Sequence, residues 1–122
     1  MDSFEILKIA ANALNEKKAR ELNAVKVTEL TVLTEYFLIA TATSSTHVHS
    51  LADEVEEKLK EQGVTPHHIE GRTSGWLVLD YGSVIVNIFS RDQREFYNLD
   101  KMWSDGEPVE LSGILDNVEE DL

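Results

Sequence analysis

The sequence contains no cysteine. Disulfides, thiolate nucleophiles and thiolate metal sites are therefore excluded, and the chain suits a reducing compartment. Basic residues are scarce: 11 Lys and Arg stand against 23 Asp and Glu, giving a net charge of -12. Gripping nucleic acid through its phosphates requires a basic patch, so no direct grip on nucleic acid is expected. An acidic surface is better matched to a basic protein. No apolar run approaches the roughly 20 residues of a membrane helix, so no membrane contact is expected. The opening MDSFEILKIAANALNEKK has early acids and no basic stretch before an apolar one. It is not read as a signal peptide, and the expected location is cytoplasmic. Two prolines, six glycines and 122 residues fit one domain with a core that needs no staples.

The acids are unevenly placed. Residues 104–122 hold seven of them and no Lys or Arg, so the first 103 residues carry -5 of the -12. The division expected is a domain over 1–106 and an acidic, flexible tail over 107–122. Within the domain, Ser3 is a candidate cap for a helix with Phe4, Leu7, Ala11 and Leu14 at helical spacing. LNAVKVT (22–28) and YFLIATAT (36–43) read as strands, the second apolar on both faces. Ser44-Ser45-Thr46 can cap a helix whose Val48, Leu51, Ala52, Val55 and Leu59 form one stripe, stopped at Gly63. His67–Glu70 is a short strand candidate, and residues 71–75 a turn. WLVLDY (76–81) and VIVNIF (84–89), joined at Gly82-Ser83, form a hairpin. Ser90 and Gln93 fit a capping box for a helix from Arg91. Continued past Asn98, that helix would align Phe96, Leu99 and Trp103 on one face. The order α-β-β-α-β-β-β-α gives an α/β fold, a single domain with a mixed sheet of about five strands flanked by helices.

Catalytic chemistry finds little footing. His47 and His49 do not share a helix face, His67 and His68 are adjacent, and no H-E-x-x-H exists, so no metal site is expected. The turn at Ser44-Ser45 precedes a helix, where an anion is favoured. It lacks glycine, lysine and the G-x-x-x-x-G-K-[ST] pattern, and its hydroxyls serve as caps. No G-x-S-x-G elbow is present. The carboxylates Asp53, Glu54, Glu56 and Glu57 read as a solvated helix face. Asp80, beside a turn, reads as a turn former.

The distinctive segment runs from Trp76 to Trp103. It holds six of the nine aromatics, interleaved with charges. Such a mixture suits a contact surface as well as a core. In the first strand Trp76, Val78 and Asp80 share one face, and Leu77, Leu79 and Tyr81 the other. Trp76, Tyr97 and Trp103 sit at element ends and are expected to be partly exposed.

These residues resemble the ribosomal silencing factors, the RsfS or Iojap family, over about residues 3–105. Trp76, Leu79-Asp80-Tyr81-Gly82, Val84, Val86, Phe89, Arg94, Phe96-Tyr97, Leu99, Trp103 and Asp105 follow the family's W-x-L-x-D-Y-G-D-V-V-V-H-V-F and R-x-F-Y-x-L-E-x-L-W. Upstream, Lys17-Lys18-Ala19, Tyr36-Phe37, Ile39-Ala40-Thr41, Ser45, Val48, Ala52, Gly63 and Glu70-Gly71 fall in matching order. The chain departs from that pattern at Lys26, Glu35, Ala42, Thr46, Ser83, Asn87 and Asp100; Asn87 stands where the motif has His. The resemblance implies a nucleotidyltransferase-like fold without the catalytic motifs, no cofactor and no enzymatic activity. It implies a factor that binds ribosomal protein fourteen of the large subunit, blocks joining of the small subunit and represses translation. The partner-binding residues it implies are Trp76, Asp80, Tyr81, Arg94, Tyr97, Leu99 and Trp103. It also implies a homodimer when free. Two other readings stay open: a nucleotide- or phosphate-binding enzyme of the same fold, and a bare dimerisation module.

Overall fold

Two faces of one sheet organise the molecule, which this computed structural model describes over residues 1–72 and 75–116. Along the chain come α1 (Ser3–Glu16), β1 (Arg20–Lys26), β2 (Tyr36–Ala42), α2 (Ser45–Glu61), β3 (His68–Glu70), β4 (Trp76–Asp80), β5 (Val84–Ser90), α3 (Arg91–Tyr97), α4 (Leu99–Met102) and β6 (Glu107–Pro108). The strands form one six-stranded sheet in the order β3-β4-β5-β2-β1-β6. Only β2 and β5 pair in parallel; the other neighbours are antiparallel. The mixed α/β sheet expected from the sequence is borne out, with the two-residue β6 as the extra strand.

The central strands are β2 and β5, and their apolar residues point both ways. On one face lie Leu38, Ala40, Val86, Ile88, Leu77 and Leu79. Against them pack Leu7, Ala10, Ala11 and Leu14 of α1 and Val48, Leu51, Ala52, Val55 and Leu59 of α2. All but Val48, which is nearly so, are fully buried. Burying a Leu or Ile side chain contributes about 1.5–3 kcal/mol, so this face supplies most of the fold's driving force. Tyr81 also belongs to it. Burial, with the Glu56 charge second, pushes its phenol above the ordinary range, so the hydroxyl stays protonated.

Local signals fix the ends. Ser44 Oγ accepts from the His47 amide at 3.0 Å and starts α2. The first helix is capped by Asp2, not Ser3: the Asp2 carboxylate accepts from Glu5 N at 2.8 Å, while Ser3 Oγ donates to Glu35 at 2.7 Å. A carboxylate in this position also complements the positive helix end, which a hydroxyl does not. The first strand begins at Arg20, two residues before the expected start.

The flexible tail expected over 107–122 is replaced, through residue 116, by a docked segment. Lys26 pairs with Glu107 and Val25 with Pro108, and Val109 N donates to Ala24 O at 2.9 Å. The Asn12 amide donates to the Lys8 and Ile114 carbonyls at 2.8 and 3.0 Å and accepts from Asp116 N at 2.7 Å. Ile114 is buried, with Val109, Leu111 and Leu115 against the core. Apolar residues spaced among the acids decide the outcome; counting charge alone missed them. Gly106 makes the turn possible, since a Cβ there would sit 2.3 Å from Val25 Cγ1. Residues 117–122, and Thr73-Ser74 of the expected 71–75 turn, lie outside the described residues.

Candidate functional site

The opposite face of the sheet presents Phe37, Ile39 and Thr41 from β2, Ile85, Asn87 and Phe89 from β5, and Trp76, Val78 and Asp80 from β4. Only part of it is covered. Ile39 and Phe89 are buried with Leu99 in a small second core, flanked by half-buried Trp76 and Trp103. Phe37, Ile85, Val78 and Asp80 remain half-buried. The cover is a corner built from α3 and α4, so the helix does not continue past Asn98 as the spacing of Phe96, Leu99 and Trp103 would have allowed. Asn98 stands between them in the left-handed conformation, φ 46° and ψ 52°. Asparagine tolerates that region because its short polar side chain relieves the usual penalty. The bend separates Phe96 from Leu99: Phe96 is 77% exposed, Leu99 buried.

Rings line the boundary between covered and open. Trp76 stacks on Phe89 at 5.1 Å between centroids and meets Tyr97 at 4.5 Å. Phe96 packs edge-on against Tyr97 at 5.1 Å. On the far side Trp103 stacks on Phe37 at 4.6 Å. Exposed Phe96, Tyr97 and Met102 therefore border a half-open apolar sheet face. An apolar patch of this kind with a polar rim suits a protein partner.

One buried cation holds the corner. Arg94, 8% exposed, makes a bidentate pair with Asp100, Nε to Oδ2 and Nη2 to Oδ1, both 2.8 Å. Its Nη1 donates to Glu21 O at 2.8 Å and Thr41 Oγ1 at 2.9 Å. Asn23 Nδ2 donates to Asp100 Oδ1 at 3.1 Å. The guanidinium thus ties α3, α4, β1 and β2 together, and its planar fork satisfies both carboxylate oxygens. Desolvation works to raise the Asp100 pKa, but the hydrogen bonds from Arg94 and Asn23 and the Arg94 charge outweigh it and leave the carboxyl below its ordinary range.

The seven implied partner-binding residues fall into two groups. Trp76, Tyr97, Trp103 and Asp80 reach the surface of this face. Tyr81, Arg94 and Leu99 are buried in the free chain. Arg94 pairs with Asp100 rather than with Asp80 or an outside carboxylate. Asp80 accepts from Gly82 N at 2.8 Å and forms the hairpin turn, where Gly82 takes φ +81°. Sequence reasoning missed Phe37, Met102 and the Asp100 clamp. Alternation along β2 could have placed Phe37 beside the rings. The Arg94–Asp100 spacing matches no helical pair; only the bend at Asn98 brings them together.

Among the described residues no group of three or more His, Cys, Asp or Glu could hold a metal ion, and no helix is long and apolar enough to cross a membrane. A separate cleft of about 490 Å³ lies where β2 and β5 end, lined by Ser44, Ser45, His49, Arg72, Ser90 and Arg91 among others.

The family model described as "Ribosomal silencing factor during starvation" matches residues 1–121. The Halalkalibacterium halodurans protein named ribosomal silencing factor RsfS is 34% identical, over 94% of this chain and 99% of its own. The Bacillus subtilis protein of the same name is also 34% identical, over 91% of this chain and 95% of its own. A Chromobacterium violaceum protein of known crystal structure superposes with a TM-score of 0.82 at 33% identity, covering 85% of this chain and 88% of that one.

Proposed function

Because the chain belongs to the RsfS family of ribosomal silencing factors, we propose that it binds ribosomal protein fourteen of the large subunit, occludes the surface that meets the small subunit and so represses translation. The observation that carries this reading is the half-covered sheet face bounded by Trp76, Tyr97, Phe96 and Trp103. Occlusion needs binding alone, so no residue is given a catalytic role. Trp76, Tyr97, Trp103 and Asp80 make direct contact. Arg94, Leu99 and Tyr81 hold the surface in shape from below. The charge of -12 steers the chain to a basic ribosomal protein. When free, the chain forms a homodimer through the same apolar face, and docking on the ribosome competes with that dimer. The protein acts in the compartment that holds its ribosomes, the cytoplasm in a bacterium.

Co-sedimentation with purified large subunits, with and without added small subunits, tests this. The chain should pellet with large subunits and reduce formation of the joined ribosome. Absence from the large-subunit pellet would sink the proposal. The cleft at Ser44, Ser45, Arg72 and Arg91 favours the second reading, a phosphate-binding enzyme. Calorimetry with nucleoside triphosphates and magnesium decides it: saturable binding would support that reading, and a flat titration removes it.

A further inference from the structure

Asn87 is out of character for its position. It is 1% exposed in the middle of a central strand, between Ile85 and Phe89 on the same face and opposite Val78 and Ile39 in register. Asparagine is disfavoured in strands, and burying an amide costs free energy unless its hydrogen bonds are met. An aliphatic residue would suit the core better. The amide nitrogen makes only long contacts, 3.4 Å each to the Leu38 and Ile85 carbonyls. The shortest bond is to another side chain: Trp76 Nε1 donates to Asn87 Oδ1 at 3.1 Å. Trp76 pairs with Phe89, so Asn87 is its diagonal neighbour across the strands.

Stacking on Phe89 and Tyr97 sets the plane of the Trp76 ring, but a half-turn about its Cβ–Cγ bond keeps that plane while exchanging the N–H edge for the six-membered ring. A directed N–H···O bond removes that freedom. From this geometry we infer that Asn87 is a positioning residue that sets the orientation of Trp76 for docking. The indole N–H is engaged by the buried Asn87 amide and is not offered to a partner. The partner therefore meets an apolar ring edge at Trp76, not a hydrogen-bond donor. This inference rests on the docking surface proposed above.

The test uses the full chain with Asn87→Leu, Asn87→Thr, Asn87→His, Trp76→Phe and Trp76→Ala, read by the indole N–H resonance of Trp76, affinity for purified large subunits and thermal unfolding. Trp76→Phe identifies the resonance by its loss. Asn87→Leu should shift that resonance upfield and weaken binding roughly fivefold, the worth of one hydrogen bond. Asn87→His, whose ring nitrogen can accept and which stands here in the motif this chain resembles, should restore both. In the Trp76→Phe background, Asn87→Leu should weaken binding no further. Should the Leu variant not fold, Asn87→Thr, whose short hydroxyl does not reach the indole, replaces it. Equal losses in both backgrounds would overturn the inference, because Asn87 would then act through the fold. Loss with Trp76→Ala but none with Asn87→Leu would overturn the inference alone. Unchanged binding in both would overturn the docking surface and the inference with it.

Discussion

The two faces of the sheet are built from the same strands, yet they are finished differently. One face meets α1 and α2 and is sealed, with its Leu, Ile and Val residues buried. The other meets only the short α3–α4 corner, and its rings are stacked at the margin of an uncovered area. The sealed face needs no directional interactions, because packing and water exclusion suffice. The half-open face is held by directed ones: the Arg94–Asp100 fork, the Asn23 bond and the Trp76–Asn87 bond. A surface that must keep its shape while exposed to solvent cannot rely on burial alone. This difference separates residues that hold the fold from residues available to a partner.

The contrast can be broken from either side. Leu79→Ala, on the sealed face, should cost about 2–5 kcal/mol of stability by leaving a cavity. Denaturant unfolding should register that loss, while ribosome affinity of the folded fraction stays unchanged. Arg94→Met should cost about 3 kcal/mol, the low end for orphaning a buried ionic partner, since Asp100 keeps some solvent contact. It should also weaken docking, because Tyr97 and Trp103 hang from the corner that Arg94 ties. A variant that loses stability but keeps full affinity would show the corner to be irrelevant to the surface. Trp76→Ala and Tyr97→Ala should do the reverse. Each should weaken binding to large subunits by about 2 kcal/mol, roughly thirtyfold, at a smaller cost in stability than Leu79→Ala. The lower unfolding midpoint of the two is expected for Trp76→Ala, because Asn87 loses its partner.

The smallest effect is acid dependence. The Asp100 carboxyl sits below its ordinary value of 3.8 in the folded chain. On acidification the unfolded state therefore takes up this proton first. The stability from Asp100 is present above the ordinary value and is lost as pH falls through the lowered one. Unfolding midpoints measured from pH 6 down to pH 2 should fall more steeply for the native chain than for Asp100→Asn across that window. Parallel curves would remove the charged clamp from the account.

Much of the sealed face was legible in the sequence because it follows periodicity. The stripe Val48, Leu51, Ala52, Val55, Leu59 and the alternation at 76–80 each determine which side is buried. The half-open face was legible as a concentration of rings, and its family pattern pointed to the same segment. Its geometry was not. A left-handed Asn98 is a backbone choice that no spacing rule reveals, and it alone turns an expected helix into a corner. The same bend carries Arg94 inward to Asp100, although the resemblance implies a partner-binding role for it. The docking of Ile114 on the core was hidden by the surrounding acids.

The central claim is that the half-open face is the docking face and the sealed one is not. The most direct measurement is the affinity of the Trp76→Ala, Tyr97→Ala double variant for purified large ribosomal subunits, by co-sedimentation, with its folded state verified by thermal unfolding. The double variant should fold and no longer pellet with large subunits at concentrations where the native chain does. A folded double variant that binds as tightly as the native chain would contradict it.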